Sequence, residues 1–262
     1  MNIGPIHTVV NSNSEIATIN FAAPPINALS KDFLQSLQET VLQLESSDHI
    51  KAAILTSERP GVFCAGLDIF SLIDKQENEL ISFWASFQNC FGTLFNTKLV
   101  TVAAINGASP AGGCMIATTC DKRVMVNNSK FKIGLNETNL GLVAPLNLIK
   151  AYEKCVGPKQ TEMDLILGKL HEPQKALEIG LVDILAIDNE DCQKIAIEIA
   201  EEFLEVDDVA RIGTKQLIRQ EFMEWFNEYR KVDMKLFQEI ISKDDIQKNL
   251  KIYAQMLRDR KK

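Results

Sequence analysis

The chain of 262 residues predicts an α/β fold followed by a helical C-terminal region, and three observations carry that prediction. The runs Ile16–Phe21, Ala52–Thr56 and Leu99–Ile105 are short, apolar and rich in branched side chains, as strands buried on both faces are. A helical pattern lies between the first two, and strands alternating with helices argue for an α/β core. After about residue 190 glycine becomes rare and proline absent, and helix-forming residues with heptad-like apolar spacing fill the chain.

The elements follow in order. Beyond the first strand, Pro25-Ile26-Asn27-Ala28-Leu29 leads into a helix predicted from Ser30 to about Ser46. Ser30 suits an N-cap, Asp32 suits the positive first turn, and Phe33, Leu34, Leu37, Val41 and Leu44 share one face. The last helix is expected to open at Ser242, with Asp244 and Asp245 behind it. Its residues Ile246, Leu250, Tyr253 and Leu257 form one apolar stripe, read as core or subunit interface. The expected division is a body over 1–190 and a helical region over 191–262.

Composition narrows the function. With 28 Lys+Arg against 35 Asp+Glu the formal charge is −7, which disfavours nonspecific nucleic-acid binding. No stretch approaches the ~20 apolar residues needed to span a bilayer, so stable membrane insertion is not expected. The start, MNIGPIHTVVNSNSE, carries neither a secretory signal nor an Arg-rich amphipathic segment. The six cysteines form no CxxC pair and read as reduced, buried thiols of an intracellular protein. No metal-ligand spacing, GxGxxG or P-loop pattern occurs, so no metal and no cofactor is expected.

Three clusters interrupt the apolar chain with glycine and polar residues: Pro60–Asp68, Asn106–Met115 and Gly134–Leu142. Taken singly, their glycines read as turns after strands. Read functionally, the first two present backbone N–H groups to a ligand, glycine permitting close approach. Two such groups from separate loops would make an oxyanion hole. His7, His49 and His171 lie outside all three clusters, and no Ser-His-Asp order falls within them.

In this order and spacing the clusters resemble the crotonase (enoyl-CoA hydratase/isomerase) superfamily, over nearly the whole chain. The runs Arg59–Asp68, Ser109–Cys114, Ile133–Gly141 and Ser242–Lys248 are most similar to its mitochondrial-type Δ3,Δ2-enoyl-CoA isomerase branch. The resemblance implies a spiral of ββα units, an acyl-CoA thioester substrate with CoA entering as part of it, and a homotrimer. It also implies fatty-acid β-oxidation in the mitochondrial matrix; the C-terminal Arg260-Lys261-Lys262 is not the SKL peroxisomal address.

Carried over by position, the resemblance gives the amides of Leu67 and Gly112 the oxyanion role. The backbone of Ala65, Gly66, Leu67, Asp68 and Ile69 would line the path of the pantetheine arm and contact the adenine. Asn136 is a further candidate substrate-binding residue. The Asp68 side chain itself reads as a cap of the turn that follows. Glu137 is implied to be the catalytic acid/base.

The superfamily hydratases use two carboxylates, and the position of one of them here is Met115. One acid/base group suffices to move a double bond, by taking a C2 proton and returning it at C4. Conversion of 3-enoyl-CoA to 2-trans-enoyl-CoA is therefore expected. Met115, Leu142 and Val143 are expected to give Glu137 apolar surroundings that raise its pKa. Trp84, Phe87 and Phe91 are either acyl-pocket or plain core residues. Two alternatives stand beside this reading: another crotonase-type activity such as a hydratase, and a noncatalytic crotonase-fold binding protein.

Overall fold

The structure is a computed structural model that describes residues 1–10 and 14–259. The tripeptide Arg260-Lys261-Lys262, read above against the peroxisomal address, lies outside the described residues. The strands are β1 (Asn2–Ile3), β2 (Ile6–Val10), β3 (Ile16–Phe21), β4 (Ala52–Ser57), β5 (Gly61–Val62), β6 (Val100–Ile105), β7 (Gly107–Pro110), β8 (Lys122–Val126), β9 (Ile133–Gly134) and β10 (Ile184–Ala186). The helices are α1 (Lys31–Glu45), α2 (Glu77–Asn96), α3 (Gly112–Thr119), α4 (Leu146–Val156), α5 (Pro158–Ile166), α6 (Pro173–Glu178), α7 (Asn189–Leu204), α8 (Asp208–Ile241) and α9 (Asp244–Asp259).

Among the described residues seven strands form one sheet, in the order β1-β2-β3-β4-β6-β8-β10, and three form a second, β5-β7-β9. From β3 to β10 every neighbour in the large sheet is parallel, so each step needs a crossover connection. The crossovers repeat one unit. A long strand enters the large sheet, a short strand enters the small one, and a helix follows: β4-β5-α2, β6-β7-α3, β8-β9-α4. This is the ββα spiral that the resemblance implies. The turns between short strands and helices consequently gather near the small sheet.

The apolar runs of β4 and β6 have a simple cause, since both faces of these central strands are covered. Ala53, Leu55, Ala103 and Ile105 face the core shared with α1, α2 and α3. Ala52, Ile54, Val100, Val102 and Ala104 face Cys192, Ala196, Ile199 and Ala200 of α7. Helix α1 starts as expected: the Ser30 hydroxyl accepts from the Phe33 amide at 3.1 Å, and Phe33, Leu34, Leu37, Val41 and Leu44 are buried.

The C-terminal region is helical, with one boundary shifted. Ser242 does not open the last helix; it is the C-cap of α8, and α9 begins at Asp244. Ile246 and Leu250 of the expected stripe are buried, Ala254 continues the buried face, and Tyr253 and Leu257 are half-buried. Helix α8 is tied to the body by Asp121, which accepts from Lys215 at 2.7 Å and Arg219 at 2.6 Å. The six cysteines are free, and burial pushes the Cys64, Cys90, Cys120 and Cys192 thiols up to about 12. No helix among the described residues is long and apolar enough to cross a membrane.

Candidate active site

The first loop is set by the residues that precede α1. Asn27 adopts a left-handed backbone (φ 51°), and its amide nitrogen donates to Ser57 Oγ at 2.7 Å and to the Phe63 carbonyl at 3.0 Å. Leu29 then bridges Leu67 in parallel: its N–H donates to the Gly66 carbonyl at 2.8 Å, and its carbonyl accepts from Asp68 N–H at 3.2 Å. In a parallel bridge the neighbours of Leu67 make these bonds, so the Leu67 N–H itself faces away from Leu29. Gly66 reaches this conformation with φ +91°, a region closed to most side chains.

The second loop leaves β7 and enters α3 through Ala111, whose N–H donates to the Gly134 carbonyl at 2.8 Å. Gly112 is the first residue of α3, and the first amides of a helix have no intrahelical acceptor. Neither the Leu67 nor the Gly112 N–H donates a hydrogen bond among the described residues. The two loops touch at this point. A Cβ on Gly112 would meet Leu29 Cδ1 at 2.6 Å, Gly66 Cα at 3.2 Å and the Leu67 nitrogen at 3.4 Å.

The third loop carries Glu137. It opens a 3₁₀ turn, Glu137–Leu140, pinned by Thr138 Oγ1 donating to the Leu165 carbonyl at 3.0 Å and Asn139 Nδ2 donating to the Gly168 carbonyl at 2.7 Å. Glu137 is half-buried as a residue, but its Oε2 is fully buried and has no hydrogen-bond partner among the described residues. Burial pushes its pKa up to about 7, against a smaller opposing pull from its own backbone N–H. A buried carboxyl oxygen without a partner costs stability and is a recognised mark of a functional site.

Leu67, Gly112 and Glu137 line one cavity of about 270 Å³. Its remaining wall is nearly all apolar, built by Trp84 and Phe87 of α2, by Leu142, Val143 and Leu148, and by one face of α8. Of the residues expected around Glu137, Leu142 and Val143 are in this wall, whereas Met115 is wholly buried in the core and does not reach it. Trp84 and Phe87 line the cavity, while Phe91 packs against Phe95 and Phe226.

The other candidate residues stand around the cavity, not in its wall. Ala65 N–H donates to the Ile26 carbonyl at 3.2 Å. Asp68 caps the following 3₁₀ turn, accepting from Phe70 N–H at 3.2 Å and from Ser71 Oγ at 2.6 Å. Ile69 is buried, and half-buried Asn136 immediately precedes Glu137. His171 Nε2 lies 2.8 Å from Asp164 Oδ2 and His7 Nδ1 3.1 Å from Glu58 Oε2, both away from the cavity.

Sequence reasoning missed the part played by α8. Tyr229, Leu236, Phe237 and Ile240 share one helical face and line the cavity together with Asp233. Their spacing was the available signal, but it announces only a helical face.

Chemically, the site pairs a carboxyl with one unpartnered oxygen, its pKa pushed up to about 7, with two free amides in an apolar cavity. That set can take a proton next to a carbonyl, hold the resulting oxyanion and return the proton.

Residues 11–260 match the protein family described as Enoyl-CoA hydratase/isomerase. The chain is 38% identical over 251 residues to the human (Homo sapiens) protein Enoyl-CoA delta isomerase 1, mitochondrial, covering 96% of this chain and 83% of that one. It is 39% identical over 246 residues to the protein of the same name from Rattus norvegicus, covering 94% and 85%. The solved structure of human mitochondrial delta3-delta2-enoyl-CoA isomerase superposes with a TM-score of 0.96 at 36% identity, covering 98% of this chain and 100% of that one.

Proposed function

The chain belongs to the enoyl-CoA hydratase/isomerase family, and we propose that it converts 3-cis- or 3-trans-enoyl-CoA to 2-trans-enoyl-CoA, with Glu137 carrying one proton from C2 to C4. One observation carries the proposal: the buried, unpartnered Oε2 of Glu137 shares an apolar cavity with the free amides of Leu67 and Gly112. The names of the similar isomerases supply the substrate class.

The ionised Glu137 takes a C2 proton, and the C–H electron pair moves into a dienolate whose charge lies on the thioester oxygen. The Leu67 and Gly112 amides hold that oxygen, and one such donor is typically worth about 10²–10³ in rate. Glu137, now a carboxylic acid, delivers the proton to C4, and the electrons return to give the C2=C3 bond. Proton and charge balance without water or cofactor.

Asp233 is the other carboxyl group in the cavity wall. Two donors already occupy its Oδ2, whereas Glu137 Oε2 has none. Position 115, where a hydratase keeps its second acid, is a methionine outside the cavity. Both points favour a single carrier.

The backbone of Ala65–Ile69 would receive the pantetheine arm and adenine, and Asn136 is a further substrate-binding candidate. The chain would work as a homotrimer in fatty-acid β-oxidation, within the mitochondrial matrix. The test is to supply 3-enoyl-CoA and 2-enoyl-CoA separately. The proposal expects the first to become the conjugated 2-enoyl ester. Hydration of the second, with no change in the first, overturns it.

A further inference from the structure

Asp233 lies deep in α8, 8% exposed, in the wall of a cavity that is otherwise nearly apolar. Its Oδ2 accepts from the Trp84 indole N–H at 2.7 Å and from Gln88 Nε2 at 2.7 Å. Gln88 Nε2 also donates to the Arg230 carbonyl at 3.0 Å, and the Arg230 guanidinium bonds Asn89. A polar strip thus ties α2 to α8 beside the acyl cavity. Stability alone gives little reason for it, since well-packed apolar groups usually do as well as a buried polar network.

The geometry of Trp84 supplies a reason. Its ring stacks on Phe237 at 4.0 Å and 5°, and on Phe87 at 4.6 Å and 26°. Stacking fixes the plane of an indole but leaves it free to slide within that plane; an N–H bond to a fixed acceptor removes that freedom. All three rings line the cavity that holds Leu67, Gly112 and Glu137. A thioester seated on those amides has this cavity to receive its acyl chain.

We propose that Asp233 is a positioning residue for acyl-chain recognition: by holding the Trp84 indole it fixes the aromatic wall against which the distal part of the acyl chain packs. The inference rests on the acyl-CoA substrate proposed above. It predicts a defect greater for chains long enough to pack along the wall. Packing of a remote chain is felt equally in ground and transition states, so the defect falls on KM and not on kcat.

The experiment compares 3-hexenoyl-CoA with 3-decenoyl-CoA in wild type, Asp233→Ala, Asp233→Asn, Trp84→Phe and the double variant Asp233→Ala/Trp84→Phe. For Asp233→Ala the decenoyl KM rises about tenfold, the scale of one methylene contact in an apolar pocket, and the ratio of decenoyl to hexenoyl KM rises with it. Trp84→Phe shows the same pattern, and the double variant is no worse than either single one. Asp233→Asn, which keeps an acceptor oxygen, lies between wild type and Asp233→Ala. Equal losses for both chain lengths, or additive losses in the double variant, overturn the inference. If Asp233→Ala does not fold, Asp233→Asn and Trp84→Phe carry the comparison.

If wild type isomerises neither ester, the proposed function fails and the inference is read by calorimetry with hexanoyl-CoA and decanoyl-CoA. A weakening greater for decanoyl-CoA by about tenfold supports it, and equal weakening overturns it.

Discussion

Gly112 meets Leu67 so closely that a methyl group at 112 would stand 3.4 Å from the Leu67 nitrogen, with Gly66 Cα at 3.2 Å and Leu29 Cδ1 at 2.6 Å. The two free amides therefore keep their spacing only while position 112 has no side chain. Gly112→Ala should push α3 away from the Leu67 loop and misplace one donor. Isomerase turnover should fall about 10²–10³-fold. The overpacking should cost about 1–3 kcal/mol, read by denaturant unfolding. Unchanged turnover would remove Gly112 from the oxyanion role.

Glu137 gives a pH dependence in catalysis. A base must be ionised to accept the C2 proton, and burial has moved this carboxyl from 4.5 to about 7. kcat/KM, which reports the free enzyme, should therefore rise with pH and reach half its plateau near 7. In Glu137→Gln this limb should vanish from whatever activity remains. A profile flat from pH 5 to 8 would contradict the assignment.

The same shift gives a stability prediction of definite sign. Between pH 4.5 and about 7 the folded state holds a proton that the unfolded state has released, so stability falls as pH rises through that window and levels off above it. At about 1.4 kcal/mol per pH unit, the cost at pH 8 is of order 3 kcal/mol. Glu137→Gln should lose that pH dependence and be more stable than wild type at pH 8, and no more stable at pH 4. Thermal unfolding at the two pH values checks this.

Asp121 predicts the opposite kind of variant, structural and remote from the chemistry. Its carboxylate faces Lys215 and Arg219 and also accepts from Thr101 N–H at 2.8 Å. Burial already holds Lys215 down at about 8 despite this partner. Asp121→Asn leaves two buried cations unbalanced and should destabilise by about 3–5 kcal/mol. Saturating acyl-CoA should recover part of the loss by binding the folded state.

The parts of the fold legible in the sequence are those whose surroundings leave a pattern. β4 and β6 are buried along their whole length, with helices on both faces, so they read as mostly apolar runs; α1 is marked by the Ser30 cap and its buried face. The small sheet leaves no such trace, since β5 and β9 are two residues long, too short for periodicity. Ser242 misled because a serine two residues before Asp244 looks like an N-cap, although it caps the end of α8 and only Ser242 and Lys243 separate the two helices. In the site, Leu67 and Gly112 offer backbone N–H groups that no side-chain pattern can announce, and only resemblance to a family pointed to them. The contribution of α8 was hidden more deeply. Tyr229, Leu236, Phe237 and Ile240 recur at helical spacing, but Leu236 is exposed and the other three are half-buried, and nothing in the spacing says that they line the cavity of Glu137.

The central claim is that one carboxyl group moves the proton. Purified Glu137→Gln, supplied with 3-hexenoyl-CoA and followed by formation of the conjugated thioester, tests it most directly. The account predicts a folded protein whose melting temperature still rises with acyl-CoA, and turnover lower by at least about 10²-fold. Near-normal turnover in that variant would contradict it.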